Sequence, residues 1–537
     1  MDASILISRY EKAKSKRYNW DHHWQEVADL VLPTREFTAD YTAGEKRRNR
    51  IFSDVAPEAA DSLSSALSGM LTNTSTRWFS LAPSNPRLKQ SDAVKRYLHD
   101  ATHLMLEYLD SADSGFSVAS HEMYLDLVCF GTGIMTVTDG VHGPRFQAKA
   151  LQNFYLVDDD QGQMVEVYRY FKLPILEAYE TFGEDLSEKT LRAIKEGELD
   201  YSKEIEFVHV VLKRYERDPA KIDNLNKPYA SYYVELTGRH IVSESGFDRI
   251  PYLTPRWSKA PEETYGRSPA MKVLPGIKVA NVMSRNILEA CELAIRPPIM
   301  MPANSIEGPL RTSPGSLIYY RQGTRDFPRP LVSGADPRVG EALLQRQEAR
   351  IEQAFFLDKL RTPENDRMTA TEVVQRRQES LMFASPMLAR LYAEFLDPLI
   401  GHTFESMVRS GVIPDAPEAL QGRSLAVEYR SPMATSKRSA HTQSFMQAMQ
   451  ATAPLMQVNP GVVQNLDADK AFRDIFDSQS VDPSYLKDSR EVEMMREQQA
   501  QQQQAAMQAE LQQRQADVGL TQSKTQESQR QANERDQ

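Results

Sequence analysis

Apolar residues recur at helical spacing along the start of the chain. Ile5, Tyr10, Trp20, Trp24, Val27 and Leu30 mark one stripe and Pro33 ends it, so a helix is predicted over residues 2–31. Three more helices are predicted: Val55 to Leu71, opened by Ser53-Asp54; Asp92 to Leu109, after a loop from Pro83 to Pro86; and Ser117 to Cys129. The last leads into a strand-like run, Thr132–Thr138. The period then shifts towards two, with β-branched and aromatic residues in Phe146–Leu151, Val165–Phe171, Phe207–Tyr215, Tyr229–Leu236 and His240–Ser243. A helical insertion at Pro174–Gly197 interrupts these strands, which gives an α+β region and not a βαβ repeat.

The middle of the chain carries a different pattern. A helix is expected from Pro275 to Ile295, with Ile277, Ala280, Ile287, Cys291 and Ile295 on one stripe and Lys278, Arg285, Glu289 and Glu292 on the other faces. Eight prolines follow between Pro297 and Pro337. Within that stretch Ile299-Met300-Met301 and Leu317-Ile318-Tyr319-Tyr320 favour short strands, hence a small β module. A second helix, Val339 to Leu357, places Leu343, Leu344, Ile351 and Phe355 on one face. The layout is a helix out, a compact head and a helix back.

A polar loop from Asp358 to Met368 precedes the capping box Thr369-Ala370-Thr371-Glu372. The helix this box opens runs towards Gly411, with Met387, Leu391, Phe395, Leu399 and Phe404 on its buried face. A kink is expected at Pro398, which lacks the N–H a helix interior requires. Further helices are predicted over Thr435–Met456 and Asp467–Phe476. After Tyr485 no aromatic residue occurs, and the Gln-rich end is read as helical in an assembly or else disordered.

Composition narrows the classes. At 537 residues the length allows two to four domains. The hydrophobic share of 41% supports folded cores despite a mean hydropathy of −0.53. No run of about 18 apolar residues occurs, so no transmembrane helix is expected. The charged N-terminus lacks a signal-peptide pattern, and the cytoplasm is the expected place of assembly. Two cysteines, Cys129 and Cys291, read as buried apolar residues. Net charge is −10, so a chain that handles DNA would have to pass the polyanion without holding it.

Candidate chemistry is thin. Gly131-Thr132-Gly133 lacks the third glycine of a dinucleotide fingerprint and reads as a backbone turn or bulge. No phosphate-binding P-loop motif exists. His99, His103 and Glu107 share a helix face but read as a solvated polar stripe. Asp158-Asp159-Asp160 could hold Mg²⁺ in a nuclease, yet the following Gln-Gly favours an acidic turn. Asp21-His22-His23-Trp24 has no accompanying nucleophile. The basic cluster Lys46-Arg47-Arg48 with Arg50 reads as an assembly contact. No catalytic residue, metal or cofactor is expected.

Several segments nevertheless form a set: Trp20, Trp24 and Pro33; Ile51-Phe52-Ser53-Asp54 through Ser68-Gly69-Met70 to Arg77-Trp78-Phe79; and Phe130-Gly131-Thr132-Gly133. The set continues with Pro255-Arg256-Trp257-Ser258-Lys259, Tyr265-Gly266-Arg267-Ser268-Pro269-Ala270-Met271 and Thr369-Ala370-Thr371-Glu372-Val373. In this order, over about residues 5–430, they resemble the head-to-tail connector (portal protein) family of short-tailed bacteriophages.

The resemblance implies a mainly helical α+β portal-type subunit in a closed ring, usually of twelve copies. Residues 1–267 would form a wing, 268–295 and 339–357 the stem helices, and 296–338 the clip. Residues 358–368 would form a channel loop, 369–411 a long kinked wing helix, 412–490 a crown and 491–537 the Gln-rich tail. Ile277, Ala280, Ile287, Cys291, Leu344, Ile351 and Phe355 would pack the stem. Ile299, Tyr319 and Tyr320 would dock partners at the clip, and Lys359, Arg361 and Arg367 would brush the phosphates of passing DNA. The implied partners are copies of the chain, the packaging terminase, a tail adaptor, major capsid and scaffolding proteins, and double-stranded DNA in transit, with no membrane. The implied place is the head-tail junction of the virion. The competing readings are another virion or scaffold assembly protein, and a metal-dependent nuclease.

Overall fold

The computed structural model describes residues 1–38, 51–73, 76–85, 91–195, 203–218, 220–221, 223–300, 329–330, 337–360, 385–420, 425–429, 444–452, 466–478, 487, 491–509, 521 and 523–525. The chain divides into two units. The first holds Met1–Phe79, His103–Asp415 and Tyr429–Met433; the second holds Ser80–Thr102, Ala416–Glu428 and Ala434–Gln537. The architecture is mixed α+β and mainly helical.

In the first unit, helix α1 (Ala3–Leu30) lies on a five-stranded antiparallel sheet whose strands pair in chain order. The strands are β4 (Phe154–Asp158), β5 (Met164–Pro174), β6 (Glu204–Lys213), β7 (Tyr229–Glu235) and β8 (His240–Phe247). Because side chains alternate across a strand, Val208, Val210 and Leu212 face the same side as Ala230, Tyr232 and Val234. Leu6, Tyr10 and Ala13 of α1 close that face. Ile5, expected on the stripe, is 52% exposed, and Leu6 takes the buried position beside it. The opposite face takes Phe207 and Ile205 under helix α5 (Ile175–Phe182), within the predicted helical insertion.

The interior of that sheet holds one polar side chain of note. His209 on β6 is fully buried, stacked on Tyr233 with ring centroids 4.1 Å apart, its Nε2 2.8 Å from Ser231 Oγ and its Nδ1 on the Tyr252 hydroxyl. Burial, helped by the charge of Arg169, lowers its pKa to about 3, so the ring is neutral.

A helical layer completes the unit. Helix α2 (Val55–Leu71) packs on helix α4 (Phe116–Phe130), which also touches α1 and helix α7 (Pro269–Ile295). Helix α7 begins earlier than its apolar periodicity predicts. The side chain of Ser268 accepts from Met271 N at 2.9 Å, and Pro269 fills the first turn, where its missing N–H costs nothing. Pro275 therefore lies inside the helix. Helix α8 (Pro337–Ala354) runs back along α7, and Gly340 lets Ile287 approach it. The short helix α9 (Leu357–Leu360) follows after Phe356, whose φ of +60° is left-handed.

The chain returns through a helix at Ser385–Leu391, a π-helical turn at Tyr392–Leu396 and a helix at Asp397–Arg409. The irregularity expected at Pro398 thus takes the form of a wider turn just before it. This suits a proline whose ring would clash with the carbonyl four residues back.

In the second unit, β1 (Phe79–Pro83) pairs with the strand Leu425–Tyr429, and Leu81 N donates to Thr102 Oγ1 at 3.0 Å. A helix spans Ala468–Ser478, and residues 491–509 of the Gln-rich region are helical. Arg496 on that stretch reaches Asp469 at 2.5 Å. Helix α3 spans Asp92–Asp110, its residues up to Thr102 in this unit and those from His103 on in the first.

Candidate functional site at the root of the helical pair

Three segments meet where α7 begins: the glycine-bearing end of α4, the run Pro255–Trp257 and the residues just before Ser268. Gly131 ends α4 with φ +76°, and Gly266 precedes the Ser268 cap. The two backbones approach so closely that a Cβ on Gly131 would lie 2.3 Å from Gly266 O, and one on Gly266 2.1 Å from Gly131 O. No other residue fits either place. The sequence reading of Gly131 as a turn glycine agrees with this helix end.

The segment Pro255–Trp257 lies along the same turn. Gly133 N donates to Pro255 O at 3.0 Å and Trp257 N to Gly131 O at 2.8 Å, with Thr132 and Arg256 bridged between them. Gly266 N donates to Thr132 Oγ1 at 2.9 Å, and Ser268 Oγ to Cys129 O at 2.7 Å. Trp24 caps the assembly: its indole N–H donates to Phe130 O at 3.0 Å and its ring meets Tyr265 edge-on at 5.1 Å. Tyr265 in turn accepts from Leu156 N at 3.1 Å.

A buried charge cluster lies beside this junction. The guanidinium of Arg256, 2% exposed, donates to Asp158 Oδ2 at 3.3 Å, Thr264 O at 3.1 Å, Gly162 O at 2.8 Å and both oxygens of Glu394 at 2.7 and 3.0 Å. Arg390 adds a contact to Glu394 at 3.1 Å. Lys259 Nζ also binds Asp158, and Thr264 Oγ1 donates to its other oxygen at 2.8 Å. Burial alone would raise the Asp158 pKa. The hydrogen bonds from Lys259 and Thr264 and the charges of Lys259 and Arg256 outweigh it and hold the carboxyl below its usual range.

The predicted chemistry falls into place around this. Asp158 ends β4 and is spent on cations, while Asp159 Oδ1 accepts from Gln161 N at 3.0 Å and Gln163 N at 2.8 Å in the β4–β5 turn. The acidic-turn reading describes this arrangement. His103 and Glu107 are both exposed, their side chains 3.9 Å apart. Asp21 pairs with buried Arg17 at 2.8 Å, and His22 packs edge-on against Tyr18. Among the described residues no group of His, Cys, Asp and Glu is arranged to hold a metal ion. No helix among them is long and apolar enough to cross a membrane.

Of the predicted packing residues, Ile277, Ala280, Ile351 and Phe355 are buried, while Ile287, Cys291 and Leu344 are half-buried. Beyond Ser284 helix α7 emerges from the core, and its outer half exposes Leu288, Leu293 and Ile295. Ile299 sits on a two-residue strand, Ile299–Met300, paired with Arg329–Pro330. Lys359 lies on α9. Arg361, Arg367, Tyr319, Tyr320, the capping box at Thr369 and the basic cluster at Lys46 lie outside the described residues.

Sequence reasoning missed Glu394 and the buried pair Arg35–Asp126, 2.9 Å apart. The one available signal for Glu394 was its place in an otherwise apolar run beside Phe395, ahead of Pro398.

The model of the bacteriophage head to tail connecting protein family matches residues 3–486. The chain belongs to that family. It is a phage connector of the portal protein kind. Relatives agree along its length. The connector is 30% identical to a probable portal protein of Bordetella phage BPP-1 over 95% of this chain and 93% of that one. It is 29% identical to the portal protein of Salmonella phage epsilon15 over 97% and 96%. Among solved structures, a chain from the virion of a native gene transfer agent particle aligns at a TM-score of 0.33 and 11% identity. That alignment covers 76% of the connector and 92% of that chain, a likeness too slight to bear on the fold. The junction gathers the glycine, Arg-Trp and Ser-Pro segments through which the sequence resembles this family.

Proposed function

We propose that this connector assembles as a closed ring, usually of twelve copies, at one capsid vertex and serves as the conduit for double-stranded DNA during packaging and ejection. The observation that carries the reading is the set of exposed apolar side chains on α7 from Val279 outward. Val279, Val282, Leu288, Leu293 and Ile295 are each 47–78% exposed in a single chain. Val279, Val282 and Leu293 lie on one side of the helix and Leu288 and Ile295 on the opposite side, which on a member of a connector family suits contacts with the copies on either hand in a head-to-tail ring.

The helical pair then acts as the stem, with α7 and α8 packing through Ile277, Ala280, Ile287, Cys291, Leu344, Ile351 and Phe355. Residues 296–338 serve as the clip that takes the terminase during filling and the tail adaptor afterwards, with Ile299, Tyr319 and Tyr320 at the contact. Lys359, Arg361 and Arg367 guide DNA weakly, and the overall charge of −10 lowers adhesion. The role is structural and not catalytic, and the working place is the head-tail junction of a virion assembled in the host cytoplasm with capsid and scaffolding proteins.

Negative-stain electron microscopy of the purified protein tests this. Rings with a central hole are the expected result. Particles that remain monomeric even with the scaffolding protein present overturn the ring.

A further inference from the structure

Arg256 and Trp257 are consecutive residues, Arg256 bridged to Thr132 and Trp257 at a bend in the chain, and their side chains reach different elements. Backbone hydrogen bonds from Gly133 to Pro255 and from Trp257 to Gly131 hold the segment on either side, and Gly131 is itself packed against Gly266. Arg256 holds Glu394, in the π-helical turn that precedes the helix Asp397–Arg409. Trp257 faces Phe356, with ring centroids 6.5 Å apart, where the chain leaves α8. Phe356 keeps a left-handed φ of +60°, a conformation that costs free energy unless neighbours impose it. Phe355 and Leu357 on either side are buried, which gives the exit from α8 a fixed seat.

One hydrogen-bonded dipeptide therefore touches both the place where the chain departs from the helical pair and the place where it returns. We propose that Arg256-Trp257 is a mechanical coupler: it joins the exit of α8 to the π-helical turn, so that displacing either is felt at the other. The same guanidinium reaches Asp158 and Gly162 in the β4–β5 hairpin, which brings the large sheet into the linkage. The inference concerns a single chain and stands whether or not the chain forms a ring.

Hydrogen–deuterium exchange on the full-length protein reads the coupling directly. Glu394→Gln should speed exchange several-fold in residues 390–398, where it is made, and also in residues 353–360, which Glu394 does not touch. Phe356→Ala, which leaves every ion pair intact, should speed exchange in residues 391–397. The proposal fails if each substitution loosens only its own side, because independent sites would then be enough. Should Glu394→Gln not give folded protein by circular dichroism, Phe356→Ala decides alone: faster exchange in 391–397 supports the coupler, and unchanged exchange there overturns it.

Discussion

The carboxylate of Glu394 grips Arg256 at three points, Oε2 accepting from the backbone N–H and from Nε at 3.0 Å each and Oε1 from Nη2 at 2.7 Å, across 138 positions of sequence. Removing one partner of so buried a pair strands the other charge. Arg256→Met should destabilise the protein by about 3–5 kcal/mol. Arg285→Ala, which breaks an exposed pair with Glu289 on α7, should cost under about 0.5 kcal/mol. Thermal unfolding of the two variants side by side checks the contrast, and equal shifts would remove the junction's claim to special weight.

Gly131 and Gly411 share nearly the same φ, +76° and +75°, but not the same surroundings. Alanine at 131 would drive its Cβ into the Gly266 carbonyl, whereas nothing lies within 4 Å of a Cβ at 411. Gly131→Ala should abolish soluble protein. Gly411→Ala should cost only the backbone term, about 1 kcal/mol. Expression yield and melting temperature separate the two.

His209 makes stability depend on pH. Its folded pKa of about 3 lies below the ordinary 6.5, so the unfolded chain binds the proton more readily. The stabilisation is complete above pH 6.5 and is lost progressively as pH falls towards 3. His209→Gln should flatten the pH–stability curve across that window, and a curve unchanged by the substitution would assign acid sensitivity elsewhere. Asp158, held below the usual carboxylate range, adds a further loss below about pH 4.

Val282 and Leu288 on α7 are 55% and 58% exposed. Replacing both with Asp should change the stability of the single chain by no more than about 0.5 kcal/mol at each site. The same change should prevent rings from forming, as seen by sedimentation and by electron microscopy. Rings of normal size from the double variant would place the subunit contact on another face.

Local order was legible in the residues themselves. Apolar periodicity placed α2 at Val55–Leu71 as observed, and alternation placed β5 to β8 within a few residues of their bounds, because both patterns report geometry over a single turn or pleat. Strand β4 was missed: Phe154-Tyr155-Leu156-Val157 is an unbroken apolar run, covered on both faces, and such a run does not alternate. Periodicity alone placed the start of α7 at Pro275, because the apolar stripe passes over Ser268-Pro269, the cap and first-turn proline that mark the start in the sequence.

The sequence by itself determined the helix-out, helix-back layout, the lack of a metal or nucleotide motif and the family likeness, since each rests on residue types at short spacing. Only the tertiary structure decided that Gly131, Arg256, Gly266 and Glu394 share one place, that Asp158 is spent on Lys259 and Arg256, and that Glu394 is held by Arg256 at the root of the helical pair. Charged residues read as solvent-facing until the chain returns to bury them. That return is set by packing across more than a hundred residues, a range over which no local period carries information.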